Sequence, residues 1–495
     1  MGLVIRQSII SSTLSYLGVA IAYFNLLWLF PKVLLPDEIG LIRIIQDIAV
    51  VLVPFAQIGL SQSTIKFFPV LKEENQRSGG YLSFILISTF GTYCLFLIIF
   101  LLFINPISSF LHPSIVEFLH LVLIITFLLA LIGVLESYCR SLLKIVAPNF
   151  IREVLLRLFT SVIVLLYFQG ILNLTELLYA FVVIYFLALA ALIGYLIYLK
   201  EFTITFDLSF LNKSNFKKFA QYSLYSLAGS SGILVLSKVD SIMISSILGL
   251  AEAGIYSIVF YVAVVIEMPK RAIVQITSPL ISRAFETIDL REIKALYRKA
   301  SINQLIIGTL LFIGIWASIH NLFYIMPNGE IYEAGRTVIL IIGLSKLVDM
   351  TAGVNGEIIV MSKYYRFNIL FITILMILTI FANYFLIPIY GIHGAAFASF
   401  LSLLIFNLIK LIFVWIKFKM QPFSWNTVKA IVIGGFVFYL TTFISFQYNA
   451  IVDTLVRSVF ITILYSILIL TLKVSPEANT LYKNIKGRFI GILKN

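Results

Sequence analysis

The chain has 495 residues, 61% of them hydrophobic and only 12% charged, with a mean hydropathy of +1.04. A soluble protein of this length carries about 25% charged residues, so a water-soluble globular fold is excluded. The net charge of +13 is read as loop Lys and Arg holding segments on the cytoplasmic side of a membrane, not as a nucleic-acid footprint.

Taken in order, apolar runs long enough to cross a hydrocarbon core of about 30 Å recur along the whole chain. The first, 8–30, follows Arg6; it is too long for a signal-peptide core and no small-x-small site follows, so it reads as a retained helix. Helices are then expected at 39–60, 80–104, 116–138, 151–168 and 175–199. A polar, basic stretch, "KEFTITFDLSFLNKSNFKK", separates these from runs at 218–238, 254–275, 301–325, 336–360, 367–387 and 393–416. Two more follow at 428–447 and 454–472. The expected class is an all-α polytopic membrane protein of about fourteen transmembrane helices. Barrel strands are excluded because they alternate apolar and polar residues over about ten positions.

Loop charge tests that count. With the N-terminus inside, the outer segments of the 36 Lys and Arg hold only Lys32, Lys238, Arg336 and Arg457, and four more (Arg43, Lys346, Lys410, Lys429) fall within runs. The remaining 28 all lie inside, which the positive-inside rule requires and which one missed helix would scramble. Both termini are therefore expected in the cytoplasm. Every outer connection is short, leaving no room for an outer catalytic domain. No GxxxxGK[ST] loop is present, so ATP is not the expected direct energy source. Residues 276–300 are expected to form a charged surface helix against lipid headgroups. Cys94 and Cys139 lie in or beside apolar runs, arguing against a disulfide framework. His112, His120, His320 and His393 are scattered without metal-site spacing.

The chain also matches itself at a shift of 214 residues. Gln7, Ser12 and Gly18 fall on Gln221, Ser226 and Gly232; Glu38 and Gly40 fall on Glu252 and Gly254; Ala49, Val50 and Val51 fall on Ala263, Val264 and Val265. The copies start an even number of helices apart, so they share one orientation: a parallel repeat of two six-helix lobes. The expected domains are an N-terminal lobe at 1–200, a cytoplasmic linker at 201–217, a second lobe at 218–420, and two appended helices with a cytoplasmic tail at 421–495.

Four stretches carry a family likeness: "LLPDEIGLIRI", "GLSQSTIKFFP", "KVDSIMISSILGLAEAGIYSI" and "ANYFLIPIYGIHGAAFAS". With the six-plus-six layout and two added helices, the chain resembles the oligosaccharide (O-antigen and capsule repeat-unit) flippases of the multidrug/oligosaccharidyl-lipid/polysaccharide exporter superfamily. The layout covers essentially the whole chain, the motifs about a sixth of it. The resemblance implies that a polyprenyl-pyrophosphate-linked glycan is moved by alternating access from the cytoplasmic to the outer leaflet of the bacterial inner membrane. It further implies coupling to an ion gradient, H+ or Na+, with no other cofactor. Implied partners are the lipid-linked glycan, membrane lipids, and a polysaccharide polymerase with its chain-length machinery. The competing readings are a cation-coupled multidrug antiporter of the same superfamily and, from a different class, a membrane polysaccharide polymerase or glycosyltransferase. No nucleophilic triad or metal cluster is visible, so no enzyme active site is expected.

A substrate of that kind asks for cations at the diphosphate, polar and aromatic groups at the sugars, and an apolar path for the lipid. Ionisable residues inside spans usually face a cavity or each other. Arg43 and Asp47 lie one turn apart in the second helix, and Lys346 and Asp349 nearly so in the tenth, spacings that let each pair neutralise itself. For Arg43 and Lys346, contact with a diphosphate or gate and local ion pairing both stay open. Lys238, also a candidate to bind substrate in the central cavity, and Asp240 lie at the expected outer end of the seventh helix, where they diverge and need partners elsewhere. Lys66, Arg140, Lys144, Lys270 and Arg271 are candidates to meet phosphate from the cytoplasm, or simply orientation signals. Asp47, Asp240, Asp349, Glu136, Glu267 and Glu357 are the ion-coupling candidates; Glu136 and Glu267 sit toward cytoplasmic ends, where an interfacial role competes. Tyr222, Tyr225, Tyr256 and Tyr261 are candidates to stack on sugar or to pack between helices. In the last motif, Pro388 is expected to close the eleventh helix and Gly391 to permit an outer turn. Asn383 there is expected to bond a neighbouring helix or a sugar.

Overall fold

The computed structural model describes residues 2–75, 79–205, 213–441, 443, 449–480 and 482–484. Part of the expected linker (206–212), the end of the thirteenth run (442 and 444–448), Arg77 and the tail charges Lys486, Arg488 and Lys494 lie outside them. Among the described residues every regular element is a helix. Ten helices are long and apolar enough to cross a membrane, and an eleventh qualifies if one bent pair counts as a single span. The chain is a multi-pass membrane protein.

Each expected run falls on helix. In chain order these are α1 (residues 2–33), α2 (Pro36–Gln57), α3 (Gly79–Leu102), α4 (Leu119–Ser141), α5 (residues 146–168), α6 (Leu174–Tyr198) and α7 (Lys213–Ile247). Next come α8 (Leu250–Glu286), α9 (Leu290–Ala317) and α10, made of Arg336–Thr351 and Asn355–Met361 bent by 48°. The last are α11 and α12 (residues 367–390 and 392–418), α13 (Trp425–Thr441) and α14 (Ala450–Thr471). Local chemistry starts several of them. Pro36 opens α2, where a missing N–H costs nothing, and the Glu38 carboxylate accepts from the Leu35 N–H at 2.9 Å. Asn173 and Glu176 form a capping box at α6.

Four expectations change. The seventh helix does not stop at Lys238 but runs nine residues further, to Ile247, because its charges find partners within the protein. The stretch 276–300 is not a separate surface helix. It is the C-terminal part of α8 and the start of α9, joined by a turn at Thr287–Asp289 where the Asp289 carboxylate caps the N–H groups of Arg291 and Glu292. With 37 residues, α8 is about 55 Å long at 1.5 Å per residue, more than a bilayer core needs. After α2, the left-handed pair Ile58 (φ 45°) and Gly59 (φ 72°) turns the chain into a further helix, Leu60–Asn75. Finally, the break between α11 and α12 lies at Gly391 (φ 60°, ψ −141°), with Pro388 accommodated in the last helical turn. A Cβ on Gly394 would stand 2.1 Å from the Leu386 carbonyl oxygen, so the hairpin closes only on glycine. Asn383 is fully buried, which favours the interhelical over the sugar role.

Contacts divide the chain into two compact units, residues 1–257 and 258–495. The first is cored by Phe68, Tyr81 and Tyr138, whose rings meet at 4.9–5.0 Å, with Leu135 and Leu192. In it α1 and α5 each contain a π-helical stretch, Asn25–Leu29 and Ile151–Leu155. Such bulges often mark functional segments. Here they lie on one helix pair: Asn25 Nδ2 donates to the Arg157 carbonyl at 3.0 Å, and Ser161 Oγ donates to Asn25 Oδ1 at 2.7 Å. The second unit is cored by Phe312, Met350, Ile433 and Tyr465, which pack α13 and α14 onto α9.

Candidate functional site

Two groups of charges in the first unit are built around side chains the sequence points to. Asp47 on α2 pairs with Lys238 on α7 at 2.6 Å, both mostly buried. Asp240, on the opposite side of the same turn, accepts from the Tyr256 hydroxyl at 3.0 Å. Arg43 lies one turn before Asp47, and both charges reach Tyr185. Asp47, expected to pair with Arg43 one turn away, thus also bonds across to another helix. α7 brings the Lys238 ammonium to that carboxylate.

The second group is a chain of alternating charges along α4 and α5. Arg140 lies 3.6 Å from Glu136, Glu136 is 3.1 Å from Arg152, Arg152 is 3.4 Å from Glu153, and Glu153 is 2.6 Å from Arg157. The two guanidinium groups of Arg140 and Arg152 are about half exposed, while the Glu136 that holds them is buried. One fixed carboxylate therefore orients two arginines, a donor arrangement matched to phosphate oxygens. Arg152 was not singled out from the sequence; the interleaving of Glu136, Arg140, Arg152, Glu153 and Arg157 was the available signal.

Lys66 lies over the Tyr222 ring at 3.9 Å and near Phe67 at 5.6 Å. Aromatic faces attract a cation without neutralising it, so Lys66 stays available to an anion. Tyr225 is exposed and Tyr261 partly buried. Tyr256 is 1% exposed and committed to Asp240, which removes it from the sugar-stacking candidates.

In the second unit, α8 and α10 exchange two ion pairs. Glu267 meets Lys346 at 2.6 Å, and Lys270 meets Asp349. Within each helix the two charges stand three residues apart and opposite in sign, so the rungs form a crossed ladder. Lys346 and Asp349 each bond across to α8 rather than to each other, and the partly buried Lys270 ammonium is held by Asp349. The second Asp349 oxygen accepts from Asn407 Nδ2 on α12 at 3.1 Å, and Asn407 Oδ1 accepts from Asn355 at 3.3 Å. Glu357 is partly buried within electrostatic reach of Lys270 and Lys410. Lys410 was counted in the sequence only as a charge within a run; a lysine in a span is itself a functional signal.

Beside this cluster lies an apolar cavity of about 720 Å³ between α9, α10, α12 and α13, walled by Phe312, Leu344, Leu404, Phe438 and others, with Asn407 in its lining. Asn407 therefore touches both a greasy groove and the charged ladder. Among the described residues no cluster of three or more His, Cys, Asp or Glu could hold a metal ion.

Residues 5–285 match the profile of the family described as polysaccharide biosynthesis protein. The chain belongs to that family. It is 24% identical over 285 residues, 56% of its own length, to a probable low-salt glycan biosynthesis flippase, Agl15, of Haloferax volcanii. The match spans 59% of that relative, under two thirds of its length. Among solved structures the chain resembles the lipid II flippase MurJ in an inward closed conformation, with TM-score 0.70 and 14% identity over 94% of this chain and 99% of that one. It also resembles a MATE-family multidrug resistance transporter of the MOP superfamily in an inward-facing conformation, with TM-score 0.62 and 12% identity over 83% and 98%. At such identities the likeness is one of fold. These neighbours are transporters and flippases, not enzymes.

Proposed function

We propose that the chain translocates a polyprenyl-pyrophosphate-linked oligosaccharide from the cytoplasmic to the outer leaflet of a bacterial inner membrane by alternating access, with both termini in the cytoplasm. The observation that carries this reading is the meeting at Asn407 of an apolar groove and a buried charged cluster. A ligand with a long lipid tail and an anionic head asks for both, side by side. Family membership and the glycan flippase relative supply the glycan class. In the first unit, the half-exposed Arg140 and Arg152 and the exposed Lys66 would be first contacts for a diphosphate arriving from the cytoplasm, and the exposed Tyr225 is a candidate to meet sugar. Arg43, Lys238 and Lys346 hold the interior and its gates. The coupling candidates, Asp47, Asp240, Asp349, Glu136, Glu267 and Glu357, would take H+ or Na+ only when a present partner lets go, since five of the six are bonded. A polymerase and its chain-length partner would draw the product from the outer face.

The test is deletion of the gene, with lipid-linked glycans and surface polysaccharide followed together. The expected result is retention of lipid-linked glycan on the cytoplasmic side and loss of the surface product, restored by the intact chain. Unchanged surface glycan alongside new sensitivity to cationic drugs would replace this reading with the multidrug antiporter.

A further inference from the structure

Lys410 is a buried lysine without a bonded counter-ion. It is 6% exposed, and among the described residues its ammonium has neither hydrogen bond nor ion pair. Its one contact of that kind is the Phe406 ring, 4.0 Å away. Burying an ammonium that way is costly, and a use in another state of the protein would explain why the lysine is there. The neighbourhood shows where it would go. Asn407, one turn earlier on α12, already bonds Asp349, so Lys410 stands on the next turn of the helix that touches that carboxylate. Asp349 and Glu357 both act on it electrostatically. Gly356 leaves it space, a Cβ there falling 3.7 Å from Nζ.

Asp349 now belongs to Lys270, and Lys270 sits just past an irregularity. Helix α8 passes through a 3₁₀ turn at Val265–Glu267 and then Pro269, which removes one backbone N–H. A 3₁₀ stretch within a helix is a hinge signal. Glu267 lies in the turn and holds Lys346; Lys270 lies beyond it.

We propose that Lys410 is the alternate partner of Asp349, which passes from Lys270 to Lys410 when α8 swings at Val265–Glu267. The exchange keeps Asp349 bonded to a cation in both conformations, so the swing never leaves a buried carboxylate alone. Lys410 is then a positioning residue for the conformational cycle, a role that rests on the alternating-access reading.

The test uses the full chain in lipid nanodiscs, with Cys94→Ser and Cys139→Ser and spin labels at Ile288→Cys and Trp415→Cys. Ile288 is exposed at the α8–α9 turn and Trp415 on α12. Pulsed-EPR distances in the parent should show two populations. Lys410→Met should lose the second and keep the first, Lys270→Met should favour the second, and Lys410→Arg should keep both. Two unchanged populations in Lys410→Met overturn the proposal, as do identical distributions in Lys410→Met and Lys270→Met. If Lys410→Met does not fold, Lys410→Gln, which removes the charge but keeps a polar end and leaves Asp349 in place, gives the same reading: two unchanged populations there overturn it. Glycan transport is scored separately, so exchange without glycan export would retire the flippase reading and leave the exchange standing.

Discussion

Gly40 and Gly254 pack against each other reciprocally. A Cβ on Gly40 would stand 1.9 Å from the Leu250 carbonyl oxygen, and one on Gly254 would stand 1.9 Å from the Pro36 carbonyl oxygen. Both pairs are separated by the repeat shift, since 36 and 250 differ by 214 as 40 and 254 do. The starts of α2 and α8 therefore meet about a local two-fold axis, the symmetry that two copies of one parallel repeat would leave behind. Backbone approaches that close are open only to glycine. Gly40→Ala and Gly254→Ala should each destabilise by about 1–3 kcal/mol through overpacking. The double variant should cost less than the two summed, because one displacement relieves both clashes. Thermal unfolding in detergent reads this out; an unchanged melting temperature in Gly40→Ala would refute the contact.

The Asp47–Lys238 pair predicts an asymmetry. Asp47→Asn leaves a mostly buried ammonium with no carboxylate and should cost about 3–5 kcal/mol. Adding Lys238→Met should recover most of that loss, since no charge is then left alone. Folded yield and melting temperature of the two variants check it. A double variant no better than Asp47→Asn would show that Lys238 has another acceptor.

A third prediction concerns the segment after α14. Glu477 accepts from Lys299 at 3.2 Å, and Ser475 donates to Asn303 at 2.8 Å, tying the segment to α9. Partial burial raises the Glu477 pKa, but hydrogen bonds from its own backbone, Lys299 and Ser475 outweigh it and hold the group below its ordinary 4.5. Its stabilising contribution is thus fully present above the ordinary value and is lost as pH falls through the lowered one. Both partners are more than a third exposed, so solvent screening limits the tie to about 1 kcal/mol or less. Proteolysis of the tail should quicken only at pH below 4.5, and Glu477→Gln should abolish that pH step. Equal cleavage at all pH values would deny Glu477 the role.

These residues also show what could be read from the sequence. The helices were legible because a bilayer demands about twenty apolar residues per crossing, and nothing else in a chain imitates that. Helix ends were not, wherever charge fell inside a helix. Lys238 and Asp240 imitate a boundary, and 276–300 imitates a surface segment because hydropathy drops where α8 and α9 continue as a charged hairpin. The glycines at 40 and 254 were visible as a coincidence of register, although their contact was not. Side-chain partners were the least legible. Spacing of three or four residues places Arg43 beside Asp47 and Lys346 beside Asp349, but it could not show that Asp47, Lys346 and Asp349 also bond across to other helices. Lys410 gives no spacing signal, because its neighbours come from α10 and α8.

The crossed ladder between α8 and α10 makes the last prediction. Sliding one helix by one rung would set Glu267 against Asp349, or Lys270 against Lys346, so the alternation of sign fixes register as well as attraction. Such specificity is the best-attested use of buried charge. Reversing one rung, Glu267→Lys with Lys346→Glu, keeps that bond but places like charges three residues apart on both helices. It also makes the slipped arrangement attractive. Reversing both rungs, with Lys270→Glu and Asp349→Lys added, restores every neighbour relationship except those to Asn407 and Lys410. The single reversal should therefore lower stability and broaden the distances between labels on α8 and α10. The double reversal should narrow them again, while transport stays reduced because position 349 can no longer serve Asn407 and Lys410. A single reversal as stable and as narrow as the parent would mean that packing alone sets the register.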